Sequence, residues 1–344
     1  MVITMNNVKN VCLIGAGRAG LIHARNFKTG IPNMKITAVA DPSPEAAQAA
    51  CKELELDKNF LDYHEALQDN DIDAVIIVSP TKYHCEIVTA AANAGKHILC
   101  EKPMAMNAQE CDTMLCAAEK NRVKLQIGFM RRFDASFAAA KEAVDAGAIG
   151  DVVLVKSLTR GPSTPQPWMY DIAKSNGPLA EVNSHDIDTL RWFTGSEFEH
   201  VYAIAGNYRC RSIADEYPDF YDNVVMNAQF ANGMQGVIDG AQGVGYGYDA
   251  RVEILGTDGV IYLGSTGENG VVCANRSGNL VQAFTKSWRT LYSDAYLRED
   301  LHFAKCVLED SQPMVTGLDG KRAVQVVEAG NRSITEKRIV FLDR

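Results

Sequence analysis

A chain of 344 residues, 47% hydrophobic and 22% charged, is long for one core and fits two domains of ordinary size. Lys+Arg 34 against Asp+Glu 43 leaves a net charge of -9, which argues against nucleic acid or membrane as a partner, because phosphate binding needs a basic surface. No apolar run approaches the roughly 18 residues of a spanning helix, the N-terminus lacks signal-peptide patterning, and nine cysteines without a CxxC pair suit reduced, mostly buried thiols in a cytoplasmic protein.

Residues 8–14 read as a buried strand and 18–28 as a helix; 35–40 is a second strand and 44–54 a second helix. Strands at 74–78, 98–100 and 125–127 follow, with helices at 86–94 and 108–121 between them. That alternation means βαβ units and a parallel sheet covered on both faces. Beyond about residue 133 the pattern changes to strands at 152–157, 202–207, 224–230, 235–241, 251–255 and 260–263. Asn232-Gly233 and Asp258-Gly259 separate paired runs, and such dipeptides favour the positive φ angles of tight hairpins. This half is expected to be a mostly antiparallel sheet with helices at 178–194, 296–309 and 320–333. The proline-rich stretch 161–168 reads as an ordered loop.

Gly15-Ala16-Gly17-Arg18-Ala19-Gly20 follows the first strand and opens the first helix, the context a dinucleotide-binding glycine motif requires. Gly15 permits the turn, Gly17 lets backbone approach a pyrophosphate, and Gly20 lets the helix pack on the strand. The helix start, with Arg18 and Ala19, offers N–H groups to the phosphates. Asp41 ends the second strand, 21 residues after Gly20. A carboxylate there accepts from ribose hydroxyls and repels a 2′-phosphate; Pro42 and Ser43 follow it rather than arginine, so the expected cofactor is NAD, not NADP. The alternative for Asp41 is to cap the helix starting at Pro44.

Three further strand ends run into Ser79-Pro80-Thr81-Lys82-Tyr83-His84, Cys100-Glu101-Lys102-Pro103 and Gly128-Phe129-Met130-Arg131-Arg132-Phe133-Asp134. With the glycine motif and Asp41, these segments resemble the glucose–fructose oxidoreductase/inositol dehydrogenase family (Gfo/Idh/MocA), and the last is most similar to its inositol dehydrogenase branch. The likeness continues through Ser184-His185-Asp186-Ile187-Asp188, Tyr246-Gly247-Tyr248-Asp249 and Thr316-Gly317-Leu318-Asp319-Gly320, nearly the whole chain.

The resemblance implies an α/β protein: an N-terminal Rossmann domain over 1–130, then an α/β domain with a large open sheet over 131–344. The second domain would bind substrate and assemble a homodimer or homotetramer through its sheet, and the final residues are candidates to pack back on the first. The active site would lie in the interdomain cleft. Lys102 would project toward nicotinamide and substrate, with a cis peptide before Pro103. Ser79, Thr81, His84 and Glu101 would line the cofactor, with a surface helix start as the alternative for His84. Met130 and Arg131 would line the substrate side, and Arg132 is equally a salt-bridged structural residue.

Oxidising an alcohol needs a hydride acceptor, a base for the hydroxyl proton and a cation for the developing alkoxide. Lys102, just past a strand's carboxyl end, suits the cation. His185 suits the base: in one helix opened by Pro178 and stopped at Gly195, Glu181 and His185 are four apart and share a face. The inositol dehydrogenase pattern usually has aspartate where this chain has Glu181; the longer carboxylate would orient His185 or bind a substrate hydroxyl, and leaves an altered substrate open. Asp188 and Tyr248 are further substrate candidates, while Tyr246 and Trp168 suit packing. No metal is needed, since lysine takes the electrophilic role. The expected activity is hydride transfer from a secondary hydroxyl of a cyclic polyol or sugar to NAD. The alternatives are a redox-neutral, NAD-retaining lyase or glycosidase, and an NAD-sensing regulator, which would be expected to lack Lys102 or His185.

Overall fold

The computed structural model describes residues 8–274 and 276–342. Strands and helices first alternate: β1 (Lys9–Ile14), α1 (Gly20–Thr29), β2 (Met34–Ala40), α2 (Pro44–Leu54), β3 (Lys58–Phe60), α3 (Tyr63–Gln68), β4 (Ala74–Ile77), α4 (His84–Asn93), β5 (His97–Glu101), α5 (Ala108–Asn121) and β6 (Leu125–Gly128). Then come α6 (Ala135–Asp145), β7 (Val152–Gly161), α7 (Ile172–Ser175), α8 (Gly177–Glu181), α9 (Ser184–Thr194), β8 (Phe198–Gly206), β9 (Asn223–Phe230) and β10 (Gln235–Gln242). The chain continues with β11 (Asp249–Gly256), β12 (Val260–Leu263), β13 (Gly267–Ala274), β14 (Leu280–Phe284), α10 (Trp288–Leu291), α11 (Ser293–Leu308), α12 (Gly317–Glu336) and β15 (Val340–Phe341).

Two compact units result. Phe133 closes the first stretch of one, which Asp294–Lys321 rejoins; the other holds Asp134–Ser293 and the chain from Arg322. The first unit is a parallel sheet in the order β3-β2-β1-β4-β5-β6. Its central strands are largely apolar because helices cover both faces; Ala74–Ile77 is wholly buried. Helix starts are written into the sequence: Ser43 Oγ accepts the Ala46 N–H at 3.2 Å beside Pro44, and Asn107 Oδ1 accepts the Glu110 N–H at 2.8 Å. Phe303, Ala304 and Val307 of α11 enter the same core as Val11, Leu13, Phe27, Ile76 and Leu99. That packing draws Asp294–Lys321 out of the continuous second domain expected over 131–344. The last strand joins the second unit's sheet: β15 pairs with β8, Val340 opposite Val201.

The second unit's sheet runs β12-β11-β7-β10-β9-β8-β15. Every neighbouring pair is antiparallel except β7 and β10, which are parallel. Both predicted hairpins form. Gly233 adopts the left-handed region (φ 88), whereas the β11–β12 turn uses no positive φ at Asp258 or Gly259. A separate β13–β14 ribbon, paired antiparallel, lies outside the predicted pattern.

The helix expected over 178–194 is two helices. α8 ends at Glu181, and α9 begins at Ser184 after Val182 and Asn183. Asn183 is buried and replaces the turn: its Nδ2 donates to Asp186 Oδ2 at 2.8 Å, and its Oδ1 lies 2.1 Å from where a Cβ on Gly240 of β10 would stand. The missing side chain at Gly240 is what admits Asn183. All nine cysteines are free thiols and six of them are buried, as expected of reduced cysteines.

Candidate active site

In the first unit the candidate residues follow the carboxyl ends of strands: Gly15 after β1, Asp41 after β2, Ser79 after β4, Lys102 after β5 and Met130 after β6. Between β1 and β4 the strand order reverses, where open α/β sheets bind ligands. Gly15 (φ +101) has Val78 O at 2.7 Å from a hypothetical Cβ, and a Cβ on Gly20 would meet Gly15 O at 2.2 Å. The fold itself therefore demands both glycines. Gly17 is different: nothing lies within 4 Å of its hypothetical Cβ, so packing does not require a glycine there and the backbone is left open to the approach of a ligand. Arg18 is exposed beside it, Ala19 precedes α1, and α1 has no acidic residue in its first turn.

Asp41 ties this loop to β2. Its Oδ2 accepts the Ala16 N–H at 2.8 Å and its Oδ1 the Ser43 N–H at 2.9 Å. Ser43, not Asp41, caps α2. Each carboxylate oxygen retains a lone pair for a ribose hydroxyl. Ser79 Oγ is buried with no hydrogen-bond partner among the described residues, and a Cβ on Gly15 would lie 3.0 Å from Ser79 N. An orphaned hydroxyl beside the glycine turn suits a polar ligand, and Thr81 is buried in the next turn. These residues fit a dinucleotide.

Lys102 is half-buried at the end of β5, and its peptide to Pro103 is cis. The turn is held on both sides. Glu101 Oε2 accepts the Lys102 N–H at 2.9 Å, while Glu101 Oε1 lies 3.3 Å from His23 Nε2. His84 is buried rather than on the surface. Its Nδ1 lies 2.8 Å from Pro103 O and its Nε2 2.8 Å from Ser79 O, so each ring nitrogen faces a backbone carbonyl and the one that carries the proton donates to it. Burial lowers its pKa against the pull of those carbonyls. Glu101 is likewise buried, between His23 and the Lys102 N–H. Met130 and Arg131 are buried. Arg132 takes the structural alternative, with Nη2 3.1 Å from Asp319 Oδ1.

In the second unit, His185 is buried in the first turn of α9. Asp186, missed by the sequence reading, anchors that turn: Ser157 Oγ donates to its Oδ1 at 2.5 Å and Thr159 Oγ1 at 2.9 Å, both from β7, beside the Asn183 bond. Glu181 ends α8 and His185 belongs to α9, with Val182 and Asn183 between them, so the two do not share one continuous helix. Asp188 and Tyr248 are buried, and Tyr248 N–H donates to Thr285 O at 2.7 Å. Tyr246 Oη lies 3.1 Å from Asp249 Oδ2, and Trp168 is 42% exposed rather than packed. Also missed in the first unit were His23, Glu299 and Asp300. An imidazole on the buried face of α1, between Gly20 and Phe27, was the available signal for the first of them.

Comparison with known proteins agrees with this geometry. The model of the oxidoreductase family with an NAD-binding Rossmann fold matches residues 9–129, and that of the GFO/IDH/MocA C-terminal domain matches residues 137–262. The chain is 36% identical over 331 residues to a myo-inositol 2-dehydrogenase of Thermotoga maritima, covering 96% of this chain and 98% of that protein. It is 33% identical to a scyllo-inositol 2-dehydrogenase (NAD(+)) of Bacillus subtilis, covering 98% of each. The crystal structure of scyllo-inositol dehydrogenase from Lactobacillus casei with bound NAD(H) and scyllo-inositol superposes with a TM-score of 0.89 at 30% identity, covering 97% of this chain and 99% of that one. The protein therefore belongs to the Gfo/Idh/MocA family of NAD-dependent oxidoreductases acting on CH–OH groups.

Proposed function

We propose that the protein is an NAD-dependent inositol dehydrogenase that oxidises one secondary hydroxyl of the ring. The observation that carries this reading is near-complete coverage of relatives named for inositols, with Lys102 and His185 both present. Bound NAD supplies the hydride acceptor. Gly17, Arg18 and Ala19 receive its pyrophosphate, Asp41 its adenosine ribose, and Ser79 and Thr81 its nicotinamide half. Lys102 donates to the reacting oxygen and stabilises the alkoxide, while His185 takes the hydroxyl proton. Glu181, at the end of α8, accepts from a ring hydroxyl. Met130, Arg131, Asp188 and Tyr248, all nearly inaccessible, shape the substrate walls.

The reading extends to assembly. Ile204, Val225, Leu255 and Tyr262 are exposed on the face of the large sheet opposite α9, and a homodimer or homotetramer would cover them. No helix among the described residues is long and apolar enough to cross a membrane; with nine free thiols, this supports a cytoplasmic location.

The test is reduced-nicotinamide formation from NAD, and separately NADP, with myo-inositol, scyllo-inositol, aldoses and sugar acids. Turnover is expected with NAD and an inositol. Tight NAD binding with no turnover on any inositol would overturn the substrate assignment.

A further inference from the structure

Behind the Glu101-Lys102 peptide, four ionisable side chains meet out of water. His23 of α1 and Asp300 of α11 are fully buried, with Nδ1 2.7 Å from Asp300 Oδ1. Asp300 Oδ2 accepts from Asn26 Nδ2 at 2.8 Å, and the Tyr296 ring stands edge-on to the imidazole at 5.3 Å between centroids. The other imidazole nitrogen faces Glu101, which holds the Lys102 N–H. Glu299 is the fourth group. Both its carboxyl oxygens are buried with no hydrogen-bond partner among the described residues, and one lies within 4.8 Å of the facing atoms of His23 and Glu101.

Three buried carboxyls around one imidazole cannot all be charged, because each uncompensated buried charge costs several kcal/mol. Glu299 keeps its proton: burial, then the Glu101 charge, push it well above the usual carboxylate range. Burial works against a charged His23, but the charge and hydrogen bond of Asp300, then Glu101, hold it protonated well above its ordinary value. Burial likewise opposes the Glu101 charge, yet His23 and Lys102 bring that carboxylate below its usual range. The charged imidazole donates from both nitrogens, one bond to Asp300 and one to Glu101. Among the described residues, the titratable groups facing His23 are Glu101 at the end of β5, itself beside the charge of Lys102, and Glu299, Asp300 and Tyr296 from α11.

We propose that His23 and Asp300 are positioning residues for Lys102: the pair fixes Glu101, and Glu101 fixes the lysine's backbone. His84 holds the other side of the same turn through Pro103 O. Glu299 is a neutral neighbour that spares the cluster a second net negative charge. The proposal rests on the reading of Lys102 as the alkoxide-stabilising residue.

The test uses the full-length protein with NAD and inositol. His23→Gln and Asp300→Asn are each expected to lower kcat about 10- to 100-fold and to move the alkaline limb of the kcat profile, with the NAD dissociation constant changed less than about threefold. Asp300→Asn keeps an acceptor for His23 and is expected to retain more activity than Asp300→Leu. Folded variants with wild-type kcat and pH profile would overturn the proposal. Nitrogen-15 NMR of the unmutated protein needs no variant: a doubly protonated His23 ring above the ordinary histidine range supports the network, and ordinary titration overturns it. A stoichiometric divalent cation in the purified protein, lost in Glu299→Gln, would also overturn it by making the cluster a metal site. Lys102→Met separates the two claims. Full activity there defeats the reading of Lys102 itself; lost activity alongside unaffected His23 and Asp300 variants defeats only the positioning.

Discussion

Asp186 in the second unit and Glu299 in the first are both fully buried acids, and their surroundings are opposite. Asp186 accepts from the neutral donors Ser157, Thr159 and Asn183, and these fixed hydrogen bonds lock the first turn of α9 to β7. Glu299 receives none among the described residues and sits beside the charges of Glu101 and His23. A buried acid with donors is an anchor; a buried acid without them is a held proton. Each lies close to a residue assigned to the chemistry, Asp186 next to His185 and Glu299 next to the support of Lys102.

The comparison breaks first at Asp186. Asp186→Leu removes the acceptor shared by two hydroxyls and an amide and is expected to lower unfolding stability by about 3–5 kcal/mol in urea melts; a change under about 1 kcal/mol would mean the three bonds are not an anchor. Gly240→Ala attacks the same anchor from β10. Its methyl group collides with the Asn183 amide, and a loss of about 1–3 kcal/mol is expected, with crystals of the variant showing Asn183 displaced.

The held proton has a pH signature. His23 and Glu299 both bind protons more tightly folded than unfolded. The stability they contribute is therefore fully present below their ordinary values of 6.5 and 4.5, and is lost as pH rises through the raised folded values. Stability should fall with rising pH by up to about 1.4 kcal/mol per unit for each group over that window. Thermal melts at stepped pH check the sign; a rise in this contribution with pH would contradict it. The smallest effect belongs to Glu299→Gln, which replaces a neutral acid by a neutral amide. It should change stability by less than about 1 kcal/mol near neutral pH and flatten the alkaline slope.

What was legible in the sequence follows the same division. Gly15 and Gly20 answer backbone requirements, so their roles can be read from spacing, and the alternation of apolar strands and helices specifies the parallel sheet wherever both faces are covered. The 178–194 helix misleads because Leu179, Leu190 and Phe193 are all buried on either side of the break, while the break depends on Asn183 meeting Gly240 from a distant strand. Partners far apart in the chain hide the rest: His23 and Asp300 are 277 positions apart, and no local pattern announces that Ser157 and Thr159 will serve Asp186. His84 is legible as a polar residue at a helix start, but not as a buried bridge between two carbonyls.

The most direct measurement is the fate of the hydrogen on the oxidised carbon. With carbon-deuterated inositol and NAD, the account predicts deuterium at C4 of the released reduced nicotinamide, one per ketone formed, and loss of that transfer in Lys102→Met and His185→Ala with NAD binding retained. Product formation without net reduced cofactor, the deuterium returned to product or lost to water, would contradict it and establish a redox-neutral reaction instead.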